Sequence, residues 1–381
     1  MALKGIINGK LVFPEAIQEG NLLIENGKII GAGKIEIPDG AEIIDAQGLY
    51  VGPGLIDQHS HGYQQYGEAV KVVDDPAGTA KAHLKHGTTT FIPSTDYKFN
   101  VEQHINILNM CKAAMADEDS SIMGVHLEGP WINKRYGAAS DTAMDYNYEA
   151  SEAIYAAAEG IALHSTYAPE LPQGAEIEAT MRKHNIRPAV GHCGAGPEDI
   201  ERAYANGARI VTHLYDATGC YVDLSEACST GHPQDCTSDI LLAMPDMYYE
   251  LIVDRAGAHA TKYSVMKALK AAGEDRIILI SDATVRPFAG ASGDINYNDR
   301  GQLSGSRLCI NMAIKNFMRF TGADIRAAFK CGSTNSARAL GIDDKVGSIE
   351  VGRTANILLV DDRFDIKKIL FKGNEIPEIR N

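Results

Sequence analysis

The chain lacks any segment that would carry it into or across a membrane. No uninterrupted apolar run approaches the ~20 residues that span a bilayer, and the first residues go straight into strand-like sequence with no basic stretch followed by an apolar one. A cytoplasmic protein without a membrane partner is expected. Positive charge is also in deficit: 36 Lys and Arg against 50 Asp and Glu leave a formal charge of −14. Phosphate backbones are bound by clustered Lys and Arg, so nucleic acid is excluded as a partner. Paired cysteines are missing too. The seven cysteines are odd in number, scattered and without a CxxC spacing, which excludes a disulfide framework and a sulfur-ligated structural zinc site. Cys220, Cys228 and Cys236 are evenly spaced, and this reads as a loop coincidence. No low-complexity run or short repeat is present, so a solenoid is excluded as well.

What is present is a long alternation of strand and helix signals. The 381 residues exceed one ordinary core and suit a barrel of roughly 250 residues with an appendage, and the 45% hydrophobic and 23% charged content is that of a soluble globular enzyme. Eight short apolar or β-branched runs read as strands: 55–61, 88–92, 122–128, 162–167, 189–192, 210–213, 249–253 and 277–282. Helical stretches separate them, with Asp75-Pro76 as an N-cap and first-turn proline, a helix from Val101 to Met115, and others near 153–158, 177–184, 198–206 and 262–271. That order predicts parallel βα units closing into an α/β (β/α)8 TIM-like barrel over residues 52–344. The two ends differ from the middle. Apolar stretches interrupted by Asn8-Gly9 and Asn26-Gly27, which read as hairpin turns, and the runs 346–349, 356–360 and 369–371 predict a small β-sandwich domain built from residues 1–51 and 345–381.

Five of the eight strands end in residues that bind or work beside a divalent metal. His59 and His61 stand at i and i+2 and share a face, Glu128 ends the third strand, His192 the fifth, His213 the sixth and Asp282 the eighth. Active sites of parallel barrels lie at the carboxyl ends of the strands, so residues placed there converge on one cavity. Nitrogen and oxygen ligands without sulfur describe a catalytic metal site with a position left for water. A carboxylate such as Asp282 beside that water can take its proton and return it to a leaving group.

These motifs resemble a known family. Pro53-Gly54-Leu55-Ile56-Asp57-Gln58-His59-Ser60-His61-Gly62 is similar to the opening metal motif of the amidohydrolase superfamily. His126-Leu127-Glu128-Gly129-Pro130-Trp131-Ile132-Asn133 resembles the signature of the N-acetylglucosamine-6-phosphate deacetylases, and Gly191-His192, Thr212-His213-Leu214-Tyr215, Ser281-Asp282-Ala283 and Gly347-Ser348-Ile349-Glu350-Val351-Gly352-Arg353 follow in the family's order. The resemblance implies a homodimeric hydrolase that removes acetate from an N-acylated amino sugar, using one or two divalent ions. Zn is the expected metal, and Fe, Mn and Co accept the same ligands. It also implies that Glu128 takes the bridging position and that Asp216, Ala217 and His259, which match substrate-contacting positions of the family, meet the substrate; Asp282 is expected to be the catalytic acid–base, and Arg255 is expected either to contact substrate or to be a solvated loop charge.

The chain departs from the family in three places. No His follows the Glu-Gly-Pro motif, where residues 134–140 run Lys-Arg-Tyr-Gly-Ala-Ala-Ser, so either a second metal or a different acyl grip meets the scissile carbonyl. Asp216-Ala217-Thr218 stands where the family has Asn-Ala-Met. No Lys or Arg occurs from Ile210 to Asp254, the region from which the family draws a phosphate-binding Arg, and Arg255 is the nearby substitute. These departures leave two rivals: an amidohydrolase of another specificity, acting on an N-acyl amino acid or cyclic amide, and a noncatalytic sugar-phosphate sensor. Of the remaining histidines, His83, His86, His104 and His184 are expected to be surface or packing residues, His164 to be core, and His232 to sit over the mouth.

Overall fold

The computed structural model describes residues 3–219 and 236–381. Cys220, Cys228 and the His232-Pro233 pair lie outside the described residues. Eight parallel strands form one sheet in chain order: Leu55–Ser60, Thr88–Thr95, Val125–Glu128, Ala162–Tyr167, Arg187–Val190, Ile210–Val211, Tyr248–Ile252 and Ile277–Ile280. The sheet closes where Asp282 N donates to His59 O at 2.9 Å and His61 N donates to Ala283 O at 2.8 Å. Every barrel strand expected from the sequence is there, because each is a short β-branched or aliphatic run buried on both faces, inside the barrel and under the helices. The run 346–349, expected as a strand near the far end, is not one, its Gly347 at φ 92° breaking the extended backbone.

The helices start where their caps dictate. The Asp75 carboxylate accepts from Gly78 N at 2.8 Å ahead of Pro76–Leu84, and Asn100 and Gln103 form a reciprocal capping box at the start of Val101–Met115. His83, His86 and His104 are fully buried, so of the two expectations for them packing is the outcome.

Both ends of the chain meet in a second, eight-stranded sheet. Lys4–Val12 is its hub: along one edge it pairs antiparallel with Ile17–Glu25, and along the other it pairs parallel with Glu42–Asp45 and then with Tyr50–Pro53. Tyr50–Pro53 in turn joins Ile357–Val360 from the far end of the chain. The Asn8-Gly9 expectation is corrected here. The pair does not turn the chain; it is a bulge inside one strand, where the register against Ile17–Glu25 slips between Ile6 and Gly9. The bulge coincides with the change of parallel partner, so one strand serves two layers. Alternation does the rest, since Ile357 and Leu359 enter the sheet's own core while Leu358 and Val360 pack into the barrel's.

One insertion positions the site. After the eighth strand the chain makes a three-stranded antiparallel flap, Phe288–Ala289, Ile295–Tyr297 and Leu303–Ser306. Its Arg300 pairs with Asp141 at 2.7 Å, and Gln302 Oε1 accepts from Ala139 N at 3.1 Å, so the flap braces the loop that follows the third strand.

Candidate metal centre

The carboxyl ends of the strands bring six predicted side chains together. Glu128 Oε1 lies 3.0 Å from His192 Nε2, 3.2 Å from His213 Nε2 and 3.3 Å from His59 Nε2, and its Oε2 lies 3.2 Å from His61 Nε2. Asp282 Oδ1 is 3.5 Å from His61 Nε2 and 3.7 Å from His59 Nε2. Two imidazole pairs even face each other nitrogen to nitrogen, His59 with His61 at 3.3 Å and His192 with His213 at 3.1 Å. Two neutral imidazoles cannot both keep lone pairs at such separations without a proton or a cation between them.

The opposite ring nitrogens explain why the Nε2 atoms point inward. His192 Nδ1 donates to Tyr136 O at 2.9 Å and His213 Nδ1 to Asp216 O at 3.1 Å. His59 Nδ1 faces Glu250 Oε2 at 3.3 Å, and Glu250 is held by Gln58 Nε2 at 2.6 Å. Fixing the proton on Nδ1 leaves Nε2 as a bare ligand, the arrangement metal-binding histidines use. The loop at 134–140, which has no His, therefore contributes through a backbone carbonyl.

Charge in the cluster follows the same logic. Burial pushes His59 down, yet the carboxylates of Glu128 and Asp282 outweigh it and hold the imidazole well above its ordinary value. Burial likewise opposes protonation of His213, and Glu128 and Asp216 bring it up to about 9. Glu128 itself is driven well below the carboxylate range by His61 and His59 in spite of its burial. The pocket calls for positive charge among buried nitrogen and oxygen donors. Two overlapping donor groups, His59–Glu128–His213 and His59–His61–Asp282, have ligand atoms all within 4.8 Å of one another. This donor set fits one or two divalent cations.

Three of the six side chains leave their strands strained. His192, His213 and Asp282 have φ of 48°, 28° and 42°, in the left-handed region that non-glycine residues avoid. Such geometry costs on the order of 1–3 kcal/mol per residue and clusters at sites where a side chain must be aimed.

The cluster floors a cavity of about 220 Å³ whose wall includes His61, Glu128, His192, His213, Asp216, Ala217 and Asp282. His259 is buried beside it, its Nδ1 3.0 Å from Asp254 Oδ2, and the charges of Asp216 and Asp282 reach it. Arg255 is not brought to this cavity. It lines a separate cleft with Lys315 and Arg319, held by its backbone N to Asp294 Oδ2 at 2.6 Å. Sequence reasoning missed Glu250, Lys98 and Arg286. Glu250 carried a signal, a carboxylate inside an otherwise apolar strand. Lys98 and Arg286 carried none, since neither ends a strand.

A closed parallel barrel with histidines and carboxylates at its strand ends defines a class of metal-dependent hydrolases, and the sequence pattern of the amidohydrolase family matches residues 50–376. The chain belongs to the amidohydrolase family. Within that family it is similar to N-acetylglucosamine-6-phosphate deacetylase of Bacillus subtilis, at 28% identity over 94% of this chain and 93% of that one. The enzyme of the same name from Pasteurella multocida superposes with a TM-score of 0.84 at 21% identity, over 98% of this chain and 99% of that one. The Mycobacterium smegmatis enzyme, solved as a mutant in complex with N-acetyl-D-glucosamine-6-phosphate, gives 0.83 at 20% identity over 98% and 99%. The last two likenesses concern the fold.

Proposed function

We propose that the protein is a metal-dependent deacetylase that hydrolyses the N-acetyl amide of N-acetylglucosamine 6-phosphate or a closely related N-acylated amino sugar. The observation that carries this reading is the convergence of four imidazole Nε2 atoms on one carboxylate, Glu128, with Asp282 beside them at the cavity floor. Similarity to deacetylases along nearly the whole chain supplies the substrate class.

His59, His61, Glu128, His192, His213 and Asp282 would hold one or two divalent cations, Zn first among them. A divalent cation in such a site polarises an amide carbonyl and makes water a stronger acid. Asp282, at the cavity wall, orients the attacking water and takes its proton. It then delivers that proton to the amide nitrogen, a necessary second transfer because an unprotonated amine leaves poorly. Glu250 and the carbonyls of Tyr136 and Asp216 keep the imidazoles in register. Asp216, Ala217 and His259 lie at or against the cavity and are assigned to the sugar; Arg255 is left without a role there. We infer a homodimer acting in the cytoplasm, the first from the family resemblance and the second from composition.

Steady-state kinetics of the metal-loaded protein with phosphorylated and unphosphorylated N-acetyl sugars test the reading. Acetate release from either supports it. No turnover of any N-acetyl sugar, with turnover of N-acyl amino acids or cyclic amides, would transfer the site to another amidohydrolase specificity.

A further inference from the structure

Two Lys or Arg side chains line the cavity among the described residues, Lys98 and Arg286. They are not equivalent. Lys98 Nζ sits 3.0 Å from Asp96 Oδ2 and 4.4 Å from the centre of the Tyr97 ring, so its charge is already matched. Arg286 makes no ion pair with a carboxylate among the described residues. Its Nε donates to Ser304 Oγ at 2.9 Å, which leaves the Nη1 and Nη2 edge uncommitted. That planar two-pronged edge matches the oxygens of a phosphoryl group, which it can grip with two parallel hydrogen bonds.

The residue is also fixed in place. Gln64 clamps its backbone from both sides, accepting from Arg286 N at 3.0 Å and donating to Arg286 O at 3.1 Å, and Arg307 Nη2 donates to the same carbonyl at 3.4 Å. Ser304, which receives the Nε, is anchored in turn by Thr284 Oγ1 donating to its carbonyl at 2.8 Å. A donor held before its partner arrives loses little entropy on binding.

Chain order places the two cations. Lys98 follows the second strand and Arg286 the eighth, so they flank the first strand, while Asp216 follows the sixth, two strands round from Arg286. Of the two cations only Arg286 brings the cavity a positive charge not paired to a carboxylate among the described residues, beside the carboxylates of Asp96, Glu128, Asp216 and Asp282 that also line it.

We propose that Arg286 reads the phosphoryl group of the substrate, within its own subunit, from the wall formed by the flap. This inference rests on the deacetylase reading of the same cavity and adds to it the residue that confers preference for a phosphorylated sugar.

The test is the ratio of kcat/KM for N-acetylglucosamine 6-phosphate to that for N-acetylglucosamine, in wild type and in Arg286→Ala, Arg286→Lys and Lys98→Ala, all metal-loaded and checked for native circular dichroism. Loss of a charge-assisted bidentate contact lowers the ratio about 10- to 100-fold in Arg286→Ala, through KM for the phosphorylated sugar. Arg286→Lys, a point charge without the fork, recovers part of it. Lys98→Ala shifts the ratio less than Arg286→Ala. An unchanged ratio in Arg286→Ala overturns the proposal while deacetylation stands, as does an equal loss in Lys98→Ala, which would signal general charge. A wild type indifferent to phosphate overturns it likewise. If wild type cleaves neither sugar the functional reading falls, and calorimetric titration of glucosamine 6-phosphate then decides: weaker binding to Arg286→Ala supports the phosphate contact, and equal or absent binding overturns it.

Discussion

His192, His213 and Asp282, three of the six converging donors, leave their strands through left-handed backbone, whereas His59, His61 and Glu128 do not. Asp282 is the residue whose loss is most informative. Asp282→Asn keeps an oxygen facing His61 but cannot carry a proton, so turnover is expected to fall at least ~100-fold while metal content by elemental analysis stays close to wild type. Near-normal turnover would remove its acid–base role. Glu250 acts one step further out, through His59. Glu250→Gln is expected to weaken metal binding about 10- to 100-fold, because the neutral amide no longer fixes the imidazole and raises its basicity. A competitive chelator titration measures this, and an unaltered dissociation constant would make Glu250 a packing residue. All six donors were legible as residue types at strand ends. Of the partners that orient them only Glu250 left a trace, a carboxylate in an apolar strand, because a backbone carbonyl such as that of Tyr136 has no residue-type signature.

At the scale of elements, the same dipeptide behaves in two ways. Asn26 and Gly27 both have positive φ, 51° and 73°, and turn the chain between Ile17–Glu25 and Lys28–Gly33. At Asn8-Gly9 only Asn8 does, with φ of 56°, and the strand continues. Local propensity allowed a turn at each, and the pairing partners decided. Helix Val101–Met115 offers a sharper test. Its His104 is fully buried with neither ring nitrogen hydrogen-bonded, and burial pulls its pKa down to about 4. The unfolded chain takes up that proton near pH 6.5 and the folded one only near 4, so stability is full above 6.5 and declines as the pH falls through this window, by roughly 3 kcal/mol at about 1.4 kcal/mol per unit. His104→Phe should flatten the decline in denaturant midpoint between pH 6.5 and 4. Parallel wild-type and variant curves would show that the imidazole is not the group responsible.

Over the whole molecule, two cores share strands. Leu358, Val360 and Ile366 sit in the barrel's core while Ile357, Leu359 and Leu370 sit in the sheet's, so residues 345–381 pack on both. We propose the division into 1–51 with 345–381 and 52–344 on the basis of these cores. The candidate metal site lies among strand ends far apart in sequence, and a cation that binds only the folded arrangement stabilises it by mass action. Removing metal with a chelator is expected to abolish hydrolysis and lower Tm, and adding back Zn, Mn or Co should restore both. Hydrolysis that survives verified metal removal would end the metal-dependent reading. No helix among the described residues is long and apolar enough to cross a membrane.

The sequence by itself determined the eight parallel strands, the capped helices between them and the identity of the six donors, because those features are written in local periodicity, capping chemistry and residue type. Only the tertiary structure decided that Glu250 supports His59, that Arg255 faces another cleft, and that Arg286 shares the cavity with Asp282. The reason is geometric. Which face a loop or flap residue presents depends on ring closure and on contacts between segments many tens of residues apart, and no local pattern encodes those.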